Sequence, residues 1–166
     1  MIRMAAIALT LLALGGCGLR PMYAGGSQGA VATTLRSVTV GPIEGQAGWL
    51  VRNKLMDRLG KADGAATAYR LDVTLDDSIT AFGLRSDRAA TQERRTLRAR
   101  YQLVETRSGT VVLDATAGSD AGIDIVSSEY ATVAAEQTAL ENLSNILADQ
   151  IAARLALYAS RTAPAR

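Results

Sequence analysis

Apolar positions recur along this chain with two periods, near two in its middle and near 3.6 on either side. Between Gln46 and Leu59, Ala47, Val51, Leu55 and Leu59 make one i, i+4 row that Leu50 widens. Arg52, Asn53, Lys54, Asp57 and Arg58 take the other side, so the spacing predicts an amphipathic helix that ends near Gly60 and Lys61. From Tyr69 to Leu75 the period changes: Tyr69, Leu71, Val73 and Leu75 face one way, and Arg70, Asp72, Thr74 and Asp76 the other. Leu97, Ala99, Tyr101 and Leu103 repeat the alternation against Thr96, Arg98, Arg100 and Gln102. Arg107-Ser108-Gly109-Thr110 is a hairpin-like turn into a third run, Val111 to Ala117. One wet and one apolar face on each strand predict an antiparallel sheet covered on a single side.

Leu35 to Val40 reads as a short β-branched strand stopped by Gly41-Pro42, and about Ser78 to Thr91 reads as a polar connection containing Gly83. Ser127 and Ser128 can cap a last helix with Glu129 in its first turn, running to about Ser160 without proline or glycine. Val133, Gln137, Leu140, Leu143, Leu147, Ile151, Leu155 and Tyr158 trace one face, leaving Tyr130 and Leu157 off the stripe. Trp49 is read as core, with a surface anchor as the alternative. The order β-α-β-β-β-α predicts an α+β fold: a two-layer sandwich in which a four-stranded, mainly antiparallel sheet carries two helices on one face. The first βα unit requires a crossover, expected to be right-handed.

Composition removes most chemistry. The chain has 166 residues and no histidine, so Ser-His-Asp, Cys-His and HExxH arrangements are excluded together with any imidazole base. Asp76-Asp77, and Asp120 with Asp124, are the carboxylate pairs left, and they read as a solvated turn or a strand end rather than an acid/base pair. No catalytic residue, metal-ligand set or cofactor motif is predicted, since Leu59-Gly60-Lys61-Ala62 lacks the glycine and hydroxyl of a phosphate loop. A net charge of +2 gives no electrostatic case for nucleic acid.

The single cysteine stands behind a short apolar run: Arg3, then Met4 to Leu14, then Gly15-Gly16-Cys17. This resembles a bacterial lipoprotein signal with its lipobox. About eleven apolar residues are too few to cross a bilayer core that needs about twenty. The resemblance implies that residues 1–16 are removed and that Cys17 carries S-linked diacylglycerol and an N-acyl chain, enough lipid for stable anchoring. Gly18, where an inner-membrane retention signal would place aspartate, favours the outer membrane. Residues 17–34, with Gly25-Gly26-Ser27-Gln28-Gly29 at their centre, then read as a flexible tether, 35–160 as the folded domain and 161–166 as a tail.

Cys17-Gly18-Leu19-Arg20-Pro21-Met22-Tyr23 resembles the mature start of the lipopolysaccharide-assembly lipoprotein family LptE, which often shows Cys-Gly-aromatic-Arg-Pro-Leu-Tyr. Tyr69 to Leu75, Thr96 to Leu103, and Tyr130-Ala131 leading to Ala148-Asp149-Gln150-Ile151 are similar to the family's α-proteobacterial branch. The resemblance implies a role without catalysis or cofactor: a plug in the lumen of the outer-membrane β-barrel LptD, assisting its assembly and the insertion of lipopolysaccharide into the outer leaflet. It makes lipopolysaccharide itself a candidate ligand. The densest basic cluster, Arg94, Arg98 and Arg100 on one strand face with Arg85 and Arg88 in the preceding connection, supplies guanidinium forks suited to glycolipid phosphates. The competing assignment pairs Arg98 and Arg100 with Asp72 and Asp76 on the neighbouring strand, leaving Arg85, Arg88 and Arg94 without an obvious strand partner. Two other functions are open to a small lipidated body: the auxiliary lipoprotein of an ABC/MCE-type lipid-transport system, and an envelope hydrolase, which the absent histidine disfavours.

Overall fold

A computed structural model describes residues 29–60, 67–84 and 90–162. Its elements are α1 (Ala30–Arg36), β1 (Val38–Val40), α2 (Gly45–Leu59), β2 (Tyr69–Leu84), β3 (Ala90–Glu105), β4 (Val111–Asp124) and α3 (Glu129–Thr162). The strands form one mixed sheet in the order β1-β2-β3-β4, with β1 parallel to β2 and the other pairs antiparallel. The α+β architecture and its β-α-β-β-β-α order are those the hydrophobic pattern predicts, with one helix added in front.

That added helix is a correction. Leu35 and Arg36 belong to α1, not to a strand, and only Val38–Val40 pairs with β2. Val31 and Leu35 lie one helical turn apart and are both buried, and Thr33 and Thr34 turn their hydroxyls back onto the carbonyls of Gly29 and Ala30. A helical i, i+4 pair therefore overrides the β-branched composition of the segment. Ala30–Thr34, expected as part of a flexible tether, is ordered in the same helix.

Gly41 extends the β1 pairing by one bond, N–H to the Leu71 carbonyl at 2.9 Å, before Pro42 turns the chain into α2. Gly48 is required where it stands: a Cβ there would sit 2.5 Å from the Ile43 carbonyl oxygen, which presses on the first turn of the helix. Gly60 ends α2 at φ 80°, a left-handed conformation that costs glycine least, and its N–H reaches the Met56 carbonyl.

The core lies between sheet and helices. Val51, Leu55 and Leu59 of α2 meet Leu71 of β2, Leu97, Tyr101 and Leu103 of β3, and Leu140, Leu143, Leu147, Ile151 and Leu155 of α3, all buried. The register aligns these faces, pairing Leu71 with Leu103 and Val73 with Tyr101. Each fully buried leucine contributes roughly 1.5–3 kcal/mol by leaving water. At about 1.5 Å per residue α3 is about 50 Å long, as long as the 16-residue β3 at about 3.3 Å per residue, so one helix spans the sheet. Its start is capped by Ser128, whose Oγ accepts the Ala131 N–H at 3.4 Å.

The strands are far longer than their apolar alternation indicates. Ser78 to Leu84, with Ala90 and Thr91, expected as a polar connection, instead belong to the β2–β3 ladder, which continues through Ser78↔Thr96 to Leu84↔Ala90. Beyond Leu75 most β2 side chains are exposed on both faces, so backbone pairing rather than burial extends the hairpin, and no hydrophobic signal marks it. Trp49, read as core, is 64% exposed: it lies on the outer side of α2, away from the Val51–Leu55–Leu59 row.

Candidate functional site

Because side chains alternate across a strand, β3 carries two different surfaces. Leu97, Ala99, Tyr101 and Leu103 point under the helices, which leaves Arg94, Thr96, Arg98, Arg100 and Gln102 on the face that no helix covers. Register sets Asp72, Thr74 and Asp76 of β2 beside them on one side and Asp114, Thr116, Gly118 and Asp120 of β4 on the other. The open face thus has charge in rows: mixed on β2, where Arg70 accompanies Asp72 and Asp76, basic on β3 and acidic on β4.

Most of these charges pair within the face. Arg100 grips Asp114 with two bonds, Nη2 at 2.8 Å and Nε at 3.2 Å, and Gln102 Nε2 donates to the same carboxylate at 2.9 Å. Those donors hold the Asp114 carboxyl down at about 2, the Arg100 bond contributing most. Arg70 folds along its own strand onto Asp72 at 2.9 Å. Arg94 lies 5.4 Å above the Phe82 ring and 3.8 Å from Asp120. Exposed pairs of this kind contribute only about 0–1 kcal/mol to stability.

Arg98 differs. It stands opposite Asp76 on one side and Gly118 on the other, and among the described residues no hydrogen bond or ion pair engages its guanidinium. Its stem passes over Gly118, where an added Cβ would meet Arg98 Cγ at 3.2 Å. Around it opens a shallow groove of 670 Å³ lined by Thr74, Asp76, Thr96, Arg100, Thr116 and Asp120. Guanidinium donors ringed by three threonine hydroxyls can hold a phosphate or sugar hydroxyls. Among the described residues no group of three His, Cys, Asp or Glu side chains could hold a metal ion, and no helix is long and apolar enough to cross a membrane.

Of the arginines singled out from the sequence, Arg94, Arg98 and Arg100 do share one face, whereas Arg85, Arg88 and Cys17 lie outside the described residues. Arg98 does stand opposite Asp76, but the expected ion pairs of Arg98 and Arg100 with Asp72 and Asp76 are not found. The register places Thr74 opposite Arg100 and Gln102 opposite Asp72, so Arg100 turns to Asp114 and Asp72 takes Arg70. Arg94, expected without a strand partner, has Phe82 and Asp120. Asp76 and Asp77 point to opposite faces, and Asp120 and Asp124 are four residues apart on an extended strand, so neither forms a carboxylate pair.

Sequence reasoning passed over Arg95. It sits on the helix-covered face with its side chain only 12% exposed, chelating Asp77 at 2.6 and 2.9 Å and donating to the Glu136 carbonyl at 3.1 Å. The Asp77 bonds raise the pKa of its guanidinium. One side chain thereby ties β2, β3 and α3 together beneath the open face. Its odd position, in register with Leu97 and Ala99, was the signal available.

A family model described as "LptE: Lipopolysaccharide-assembly" matches residues 35–155. No curated protein sequence matches the chain. Among solved structures, a Caulobacter crescentus CB15 protein described as a lipoprotein is 26% identical, with a TM-score of 0.69 over 82% of this chain and 100% of its own. Two more share the fold: rare lipoprotein B from Shewanella oneidensis (11% identity, TM-score 0.53, 75% of this chain and 94% of its own) and a lipoprotein B from Nitrosomonas europaea (9%, 0.56, 74% and 82%).

Proposed function

The chain belongs to the LptE lipopolysaccharide-assembly family, and on that premise we propose that it is the lipid-anchored subunit of an outer-membrane lipopolysaccharide translocon, plugging the β-barrel LptD. In this reading the protein acts without catalysis or cofactor. The observation that carries the proposal is the uncovered sheet face. A soluble domain of this size ordinarily buries one face and solvates the other, but here the solvated face spans strands of up to 16 residues and bears ranked charges around a groove. A barrel lumen is polar, so a body that occupies it needs a polar, hydrogen-bonding exterior of this kind. Arg98, with Arg94 and Arg100 beside it and Arg85 and Arg88 earlier in the chain, supplies the donors for glycolipid phosphates.

Cys17 carries the anchor in this account, and residues 17–28 form the link to α1. Those residues can reach at most about 40 Å, which bounds the distance between the lipid and the domain. Affinity purification from detergent-solubilised outer membranes tests the assignment. Recovery of a heat-modifiable β-barrel protein in stoichiometric amount is the expected result; recovery of MCE-type lipid-transport components instead would overturn it. Mass spectrometry of the mature N-terminus should show Cys17 with diacylglycerol and an acyl chain.

A further inference from the structure

One backbone detail of the sheet edge points to an interaction surface beyond the plug assignment. The Gly118 N–H donates to Gln150 Oε1 at 3.1 Å, and the Gly118 carbonyl accepts from Gln150 Nε2 at 3.4 Å. A side-chain amide of α3 therefore occupies the place where the peptide group of a fifth strand would sit. In an antiparallel strand each residue sends its N–H and C=O to the same side, and alternate residues share that side. Asp114, Thr116, Asp120, Gly122 and Asp124 consequently turn their backbone groups outward with Gly118. Among the described residues no partner meets those groups. From Asp114 to Asp124 this free edge runs about 33 Å at about 3.3 Å per residue, and such edges are normally blocked by proline, lysine or short length.

We propose that β4 is a strand-accepting edge for an extended segment of a partner polypeptide in which basic residues alternate with apolar ones, Gln150 holding the central position until that segment arrives. The edge row specifies the basic half. Every charged residue that β4 turns to the open face is acidic, Asp114, Asp120 and Asp124, so a strand added beside it is complementary when its residues on that face are positive. The helix side specifies the apolar half. Ile146, Ala153 and Leu157 share the α3 flank of Gln150 by helical spacing, and Ile146 is 42% exposed beyond the β4 edge. A second copy of this chain fits poorly, because pairing two β4 edges about Gly118 would bring the acidic rows of both copies into one strip.

The test uses the full chain in non-ionic detergent and a capped, fluorescent peptide of about ten alternating arginine and valine residues, read by anisotropy and backbone amide exchange. Binding should slow exchange at Thr116 and Asp120. Thr116→Pro removes an outward N–H that the β3 ladder does not use, and it and Asp120→Lys should each weaken binding about tenfold. Gln150→Ala, which clears the edge, should tighten it by about threefold. Equal binding of an alternating glutamate and valine peptide, absence of binding, or indifference to these substitutions would overturn the proposal. So would sedimentation showing self-association abolished by Thr116→Pro, which would assign the edge to a second copy. Should Thr116→Pro lose the far-ultraviolet circular dichroism of the parent, Asp120→Lys and Gln150→Ala decide.

Discussion

The two faces of β3 differ by one residue of register and by almost everything else. Its odd positions, Leu97, Ala99, Tyr101 and Leu103, are fixed by burial beneath α2 and α3. Its even positions Arg94, Arg98 and Arg100 are exposed: Arg94 lies over the Phe82 ring, Arg98 stands in the groove with no ion pair among the described residues, and Arg100 grips Asp114. Burial therefore places stability on one side of the strand, and the proposed recognition lies on the other. Substitutions should separate the two properties cleanly, because pairwise screening on the wet face contributes little energy.

The sharpest break comes from the buried side. Leu147→Ala, at a fully buried position in the middle of α3, should cost about 2–5 kcal/mol in urea-induced unfolding. A loss under about 1 kcal/mol would mean the helix does not depend on that contact. Next is the tie beneath the face: Arg95→Ala strands the Asp77 carboxylate and should cost about 2–3 kcal/mol. Its mark is local, since amide exchange near Glu136 should quicken before the rest of α3 if the tie anchors the start of that helix.

On the wet face the balance inverts. Arg98→Glu should shift unfolding by less than about 0.5 kcal/mol yet weaken lipopolysaccharide binding about tenfold in a detergent-based assay. Arg85→Glu with Arg88→Glu should behave alike, folding intact and binding reduced. Equal loss of stability and binding would erase the distinction between the faces. The smallest effect is a titration. Asp114 is held at about 2 against an ordinary 3.8, so the stability it contributes is present above the ordinary value and is lost as pH falls through about 2. Carboxyl NMR should find that midpoint, and Arg100→Gln should raise it towards 3.8. An unmoved midpoint would show that the ion pair does not form in solution.

Legibility in the sequence followed the same division. Wherever burial chose the residue, spacing reported it: Ala47 to Leu59 gave α2, Leu97 to Leu103 gave the centre of β3, and Leu140 to Leu155 gave α3. The outer halves of β2, β3 and β4 went unseen because they bury little; the third run was ended at Ala117, whereas Gly118, Ser119, Asp120 and Gly122 continue to pair as strand. Trp49 was misplaced since size alone does not say which side of α2 a residue takes. The arginines of the open face were visible as a cluster, but their partners depend on register, and register is set by the ladder as a whole. Arg100 faces Thr74, two residues from either Asp72 or Asp76 along β2, and pairs with Asp114 of β4 instead.

Photocrosslinking in living cells puts the open face to the most direct test. A photoreactive residue replacing Thr116, exposed in the groove beside Arg98, should yield an adduct with an outer-membrane β-barrel protein, while one replacing Leu147 in the core should not. A barrel adduct from Thr116 is the result predicted for a polar face that fills a lumen. Adducts confined to soluble periplasmic proteins, or none at all with the protein at its native level, would contradict it.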